Sequence, residues 1–203
     1  MEPVKRDDIK VRKTARGRNI LNEWYDIGVR QFKIVLKHGL DKNMKYLDIG
    51  CGDLRGGIHI IKNIENGNYY GVEVPKRGYN QNAVLRNCGL SHKTINMRYN
   101  RDFDFEQIIY DRIMAWSVFT HLTDEQIIDC IEKTSRVMGS KTKFLATRRI
   151  ASKVKYGKVH GKNFTYPISF FEDVARDYCL SVTHIKDKMC QANQSLLIFE
   201  KKE

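Results

Sequence analysis

Leu47-Asp48-Ile49-Gly50-Cys51-Gly52-Asp53-Leu54-Arg55-Gly56-Gly57 is the stretch that decides how this chain folds. Apolar strand residues (45–50) run into closely spaced glycines, and the apolar run IHIIKNI follows. Glycine accepts positive φ and lets a ligand approach the backbone. The start of the next helix offers free N–H groups and partial positive charge. In open α/β sheets the ligand crevice lies beyond the C-terminal ends of the strands. The dinucleotide pattern G-x-G-x-x-G is met by Gly50 and Gly52, but Arg55 stands at the third glycine. The G-K-[ST] of a P-loop is absent. The stretch points to a nucleotide-like ligand and only weakly to a dinucleotide; the plainer alternative is a tight turn that binds nothing. Tyr70-Gly71-Val72-Glu73 favours the ligand. Glu73 ends a second strand (69–74), 23 residues after Gly50, where a carboxylate can accept both hydroxyls of a ribose.

On either side, strand and helix signals alternate. Residues 1–17 are charged and read as a mobile arm or one short helix. Residues 18–39 form an amphipathic helix capped by Gly39, with Gly28 as a point where it can break. Further helices are expected up to Cys88–Gly89, over 123–138 with Thr123 as N-cap, and over 169–179. In the last, Ser169 would cap and Glu172 would complete a capping box. Strands are expected at 93–98, 110–116, 142–148, 180–185 and 194–201. The alternation predicts an α/β chain with a doubly wound sheet between two helical layers. No repeat or long linker divides it, so 1–203 reads as one domain. Its parts are an arm and helix (1–39), a ligand-binding core (40–148), a basic insertion or lid (149–168) and a C-terminal helix with strands (169–203).

Length and composition agree. The 203 residues suit one domain, and 41% hydrophobic with 30% charged residues is a foldable composition. No apolar run approaches the ~20 residues of a membrane helix. The first residues lack the apolar segment of a secretory signal. Five cysteines lie far apart with no CxxC, which argues against a disulfide scaffold or a zinc site and suits a cytoplasmic protein. His38, His92, His160 and His184 propose no metal set. The net charge of +12 is concentrated: from Lys133 to Phe171 there are ten Lys or Arg and no Asp or Glu.

These motifs together resemble those of the class I S-adenosylmethionine-dependent methyltransferases. LDIGCGDLRGG is similar to their first motif and YYGVE to the second. Asp102-Phe103 resembles the acidic–aromatic pair after the third strand. YDRIMAWSVFTHL resembles the fourth-strand motif of a small subgroup ending in SVFTHL, and QSLLIFEK the last strand. The resemblance implies a Rossmann-like, mostly parallel seven-stranded sheet with an antiparallel last strand. It implies S-adenosyl-L-methionine as cofactor and S-adenosyl-L-homocysteine as product. By the same resemblance, Gly50, Cys51 and Gly52 would receive the methionyl part. Asp48 would orient the turn or reach the cofactor's amino group. Glu73 would hold the ribose, Asp102 and Phe103 the adenine. Trp116, Ser117 and Val118 would line the floor near the sulfonium. The Asn/Asp-Pro-Pro-Tyr/Phe sequence of enzymes that methylate exocyclic or amide nitrogens is absent.

Methyl transfer from a sulfonium is a displacement at carbon, so alignment is the main task. A base is needed only when the nucleophile carries a proton. His121, just past the fourth strand, is the catalytic candidate, with helix capping as the plainer reading. Arg55 in the glycine turn is a candidate to grip the cofactor carboxylate or an anionic substrate. Trp24 and Tyr25 are read as core or as a cofactor lid. The favoured acceptor is a small or glycan-like molecule, methylated on oxygen or nitrogen, and anionic if the basic stretch borders the site. The alternatives are RNA, tracked by the basic residues with Tyr156, Phe164 and Tyr166 interleaved, or a non-catalytic module that only binds the cofactor. No metal and no membrane span are expected.

Overall fold

The computed structural model describes residues 1–9, 21–75, 80–151, 165–190 and 194–202. Residues 18–20, Gly78 and 152–164, which include Tyr156 and Phe164, lie outside them. The elements run α1 (Leu21–Lys37), β1 (Tyr46–Ile49), α2 (Gly57–Asn63), β2 (Tyr69–Glu73), α3 (Gln81–Asn87), β3 (Asn96–Tyr99), β4 (Tyr110–Ala115), α4 (Asp124–Arg136), β5 (Met138–Arg148), α5 (Ile168–Asp177), β6 (Leu180–Ile185) and β7 (Ser195–Lys201).

One seven-stranded sheet has the order β3-β2-β1-β4-β5-β7-β6. β7 inserts antiparallel between β5 and β6; the neighbours from β3 to β5 are parallel. This is the doubly wound sheet that the alternation predicts. Its chain order reverses between β1 and β4, the place where such sheets open a crevice. β1 is buried at all four positions, as a central parallel strand covered on both faces must be. On one face α1 and α2 pack Trp24, Phe32, Ile34, Ile58 and Ile61 against the sheet. On the other, Phe119, Phe144, Phe171 and Phe199 form an aromatic core beneath α4 and α5. β3 joins β4 through 100–109 without a helix, and buried Phe105 fills the space there.

Several local expectations change. α1 runs unbroken through Gly28, because that glycine serves a close approach: a Cβ there would collide with the Arg55 carbonyl oxygen. Residues 1–9 are not a free arm. Val4 and Ile9 are buried, Val4 N–H donates to His59 Nδ1 at 3.0 Å, and the Tyr25 hydroxyl donates to Val4 O at 3.0 Å. β3 begins at Asn96 rather than 93, since Thr94 N–H is held by Asn66 Oδ1 at 2.6 Å before pairing with β2 starts. β5 begins at Met138 rather than 142, and a register shift opposite Tyr110 and Arg112 absorbs the extra residues. Ser169 does not cap α5. Pro167 takes that position with φ −67°, leaving Ser169 inside the first turn. Thr123 does cap α4, in a box completed by Gln126. Gly39 follows α1 with φ +81°, and Leu40 N–H returns to Val35 O at 3.2 Å.

Candidate active site

A cavity of ≈ 770 Å³ opens at the C-terminal ends of β1, β2 and β4. Its walls include Asp48, Gly50, Cys51, Gly52, Arg55, Glu73, Phe103, Trp116, Ser117, Val118 and His121. Asp102 stands apart. It is exposed and not a wall residue, and its carbonyl accepts from Lys133 Nζ at 2.7 Å.

The glycine turn is built for close approach. Gly50 and Gly52 have φ of +68° and +56°. A Cβ on Gly50 would stand 2.5 Å from Val118 Cγ2, so the β1 turn and the β4 turn meet there with no room for a side chain. Glu73 ties the turn to β2: its Oε2 accepts from Gly52 N–H at 2.6 Å and its Oε1 from Val74 N–H at 2.9 Å. Each carboxylate oxygen keeps further acceptor capacity toward the cavity. Gln81 Nε2 donates to Gly52 O at 2.7 Å, and the Tyr99 hydroxyl braces Gln81 Oε1 at 2.8 Å.

Asp48 is buried beneath the turn and accepts from the Tyr69 hydroxyl at 2.6 Å. Burial pushes its carboxyl up to about 7. The Tyr69 bond opposes that rise, Glu73 adds to it, and Arg55 counters it. His59, beneath the same region, is held neutral: burial, aided by Lys62, takes it down to about 4. At the floor, Ser117 has φ +58°, a conformation that costs a non-glycine residue about 1–3 kcal/mol and concentrates at functional sites. Ser117 N–H donates to Thr147 Oγ1 at 2.7 Å, Thr120 Oγ1 donates to Ser117 O at 2.8 Å, and Gln194 Nε2 donates to Ser117 Oγ at 3.0 Å. Phe103, with φ +48°, is a second strained residue of the wall. His121 ends a 3-10 turn, Phe119–His121, and is exposed at the cavity.

No protein-family model and no curated protein matches the chain. Solved structures do resemble it. Mitomycin 7-O-methyltransferase MmcR aligns with a TM-score of 0.67 and 12% identity, over 86% of this chain and 54% of that one. This chain thus spans about half the length of that enzyme. An S-adenosylmethionine-dependent methyltransferase from Clostridium acetobutylicum aligns at 0.66 and 8% identity, over 89% and 92% of the two chains. Magnesium protoporphyrin IX methyltransferase from Synechocystis, with SAM bound, aligns at 0.63 and 11% identity, over 90% and 81%. The chain has the methyltransferase fold.

Within that fold, sequence reasoning missed several wall residues. Gln31 of α1 and Asp53 of the glycine turn both reach the cavity. Trp24, weighed as core or lid, is core: it is 4% exposed, borders the cavity and donates from Nε1 to Asp53 Oδ1 at 3.0 Å. Asn100 and Arg101 line the cavity beside Phe103, as does Gln126 of α4. The side chains of the α4 capping box carried a usable signal; the others depend on contacts between distant segments. Among the described residues no group of His, Cys, Asp and Glu is arranged to hold a metal, and no helix is long and apolar enough to cross a membrane.

Proposed function

We propose that this chain is an S-adenosylmethionine-dependent methyltransferase that methylates an oxygen or nitrogen of a small or glycan-like acceptor by direct displacement. The observation that carries the reading is the Glu73–Gly52 contact. It holds a carboxylate at the end of β2 beside a positive-φ glycine turn, at the switch point of the sheet. The fold and the cavity support it. So do the printed names of two similar structures, which give mitomycin and magnesium protoporphyrin IX as what those enzymes methylate.

The residues fit the cofactor. Glu73 accepts the ribose hydroxyls with the lone pairs its backbone bonds leave over. Gly50 and Gly52 expose backbone to the methionyl part, and Arg55 reaches its carboxylate. Phe103, in the cavity wall, would lie beside the adenine. S-adenosylmethionine, when bound, supplies the methyl group and a neutral sulfide as leaving group. Trp116, Ser117 and Val118 form the floor that aligns the acceptor atom with that methyl. Ser117, locked by Thr147, Thr120 and Gln194, keeps this floor rigid. His121 takes a proton from an acceptor hydroxyl or amine; an acceptor that is already an anion needs no base.

Calorimetry with S-adenosylhomocysteine and with NAD, followed by transfer of labelled methyl to fractionated cell extracts, tests the reading. Binding of the sulfur nucleoside and label in a small-molecule or glycan fraction are expected. Binding of NAD alone would overturn it, and label confined to RNA would favour the nucleic-acid alternative.

A further inference from the structure

The loop after β3 places a cation, not a carboxylate, in the cavity wall. Asn100 N–H donates to Glu73 O at 3.1 Å and carries the β2–β3 ladder one residue past β3. Its side chain is tied to Asp104 twice: Nδ2 donates to Asp104 O at 3.0 Å, and Oδ1 accepts from Asp104 N–H at 3.1 Å. From this anchor the chain alternates. Arg101 and Phe103 are wall residues of the cavity, and Asp102 between them is not. Asp102 carries the only carboxylate of the stretch 100–103, and it lies outside the wall.

The other side chains at this end of the cavity offer a ligand few acceptors. Val74, Phe103 and Leu122 are apolar. Asn100 Oδ1 is tied to Asp104, and Gln126 Oε1 accepts from Thr123 N–H at 3.1 Å in the α4 capping box. Arg101 is exposed, and its side chain makes no hydrogen bond or ion pair among the described residues. The nearby Asp104 is paired with Arg98 at 3.3 Å. A guanidinium carries donors only, in a planar fork. The free polar group at this end therefore demands acceptors from its ligand.

A ribose on Glu73 carries its base over the ends of β2 and β3, where Val74, Arg101 and Phe103 stand. A carboxylate there would accept from the amino group of adenine; an arginine cannot. Adenine offers an arginine N7 alone, with a donor at the neighbouring amino group. A 6-oxopurine offers O6 and N7 side by side, and the arginine fork takes both with two parallel bonds. We propose that Arg101 is the base-selecting residue of this site and reads the acceptor edge of the purine. The site then takes a 6-oxopurine sulfur nucleoside at least as well as the 6-amino one. The proposal rests on the methyltransferase reading and concerns which nucleoside the donor pocket admits.

The test is calorimetry on the full chain with S-adenosylhomocysteine and its 6-oxo analogue S-inosylhomocysteine. The native chain should bind the inosyl compound at least as tightly as the adenosyl one. Arg101→Met should weaken the inosyl compound about tenfold or more and the adenosyl compound by a smaller factor. Arg101→Asp restores an acceptor and should reverse the order, with the adenosyl compound bound more tightly. Arg101 is exposed, so Tm should hold in both variants and show that each is folded. Weaker binding of the inosyl compound by the native chain overturns the proposal. So does an inosyl-to-adenosyl affinity ratio that both variants leave unchanged, which would make Arg101 a solvated side chain at the rim. Failure of the native chain to bind either sulfur nucleoside overturns the methyltransferase reading instead. Binding of the adenosyl compound alone spares that reading and sinks only the role of Arg101.

Discussion

The Tyr69 hydroxyl donates to Asp48 Oδ2 at 2.6 Å beneath the glycine turn, joining β2 to β1 through side chains as well as backbone. Burial outweighs that bond, and the Asp48 carboxyl titrates at about 7. In the unfolded chain an Asp loses its proton near pH ~4. Between these values the folded state holds the extra proton, so stability falls as pH rises through the window and the deficit is complete above it. Its size is on the order of 4 kcal/mol. Asp48→Asn removes the titration and keeps an acceptor for Tyr69. Urea melts should show the variant and the native chain alike near pH ~4, with the variant gaining an advantage up to pH ~8. Parallel profiles across that range would count against a raised Asp48.

Two glycines of the turn should respond differently to alanine. Both have positive φ, which costs a side chain about 1 kcal/mol or more. At Gly52 the nearest atom to an added Cβ is Glu73 Oε2 at 3.9 Å, so little else is lost. At Gly50 the Cβ would stand 2.5 Å from Val118 Cγ2 and force the β1 and β4 turns apart. Gly50→Ala should therefore cost about 1–3 kcal/mol more than Gly52→Ala in equilibrium unfolding. Equal losses would show that the two turns are not in contact.

Glu73→Ala removes the partner of two backbone N–H groups and the ribose acceptor of the proposed site. S-adenosylhomocysteine affinity should fall about 10- to 100-fold, in line with losing charge-assisted hydrogen bonds of about 1.5–3 kcal/mol. Calorimetry on Glu73→Ala and Glu73→Gln would check it, with Gln retaining part of the affinity. A cofactor affinity within twofold of native in both would remove Glu73 from the site.

His121→Asn separates proton removal from helix capping. The neighbouring Thr123–Gln126 box caps α4 without help from His121, so Tm should change little. Turnover of an acceptor hydroxyl should fall about 100-fold or more, with cofactor affinity unchanged. Full turnover with unchanged pH dependence would leave His121 a bystander at the cavity rim.

Much of this was legible in the chain itself. The Thr123 cap, the Gly39 terminus, the two glycine-turn residues and the Glu73 strand end are local signals, each carried by residue types within a few positions of one another. The same holds for eleven of the twelve candidate site residues, which line the cavity; Asp102 does not. The misread boundaries have non-local causes. The start of β3 depends on Asn66, and the length of β5 on a bulge against β4. The need for glycine at position 28 comes from the Arg55 carbonyl in the glycine turn.

The sequence alone determined the alternating elements, the glycine turn and the acidic residue after β2, because backbone sterics and hydrophobic period act over short spans. Only the tertiary structure decided which side chains face one another. It brought Trp24 to Asp53 and Gln81 to Gly52, seated Arg112 on the end of α1, and left Arg148 buried over Tyr166 without a hydrogen-bond partner among the described residues. Both arginines look the same in a string of letters. Burial and hydrogen bonding are set by segments tens of residues away, and they make one a structural clamp and the other an unspent cation.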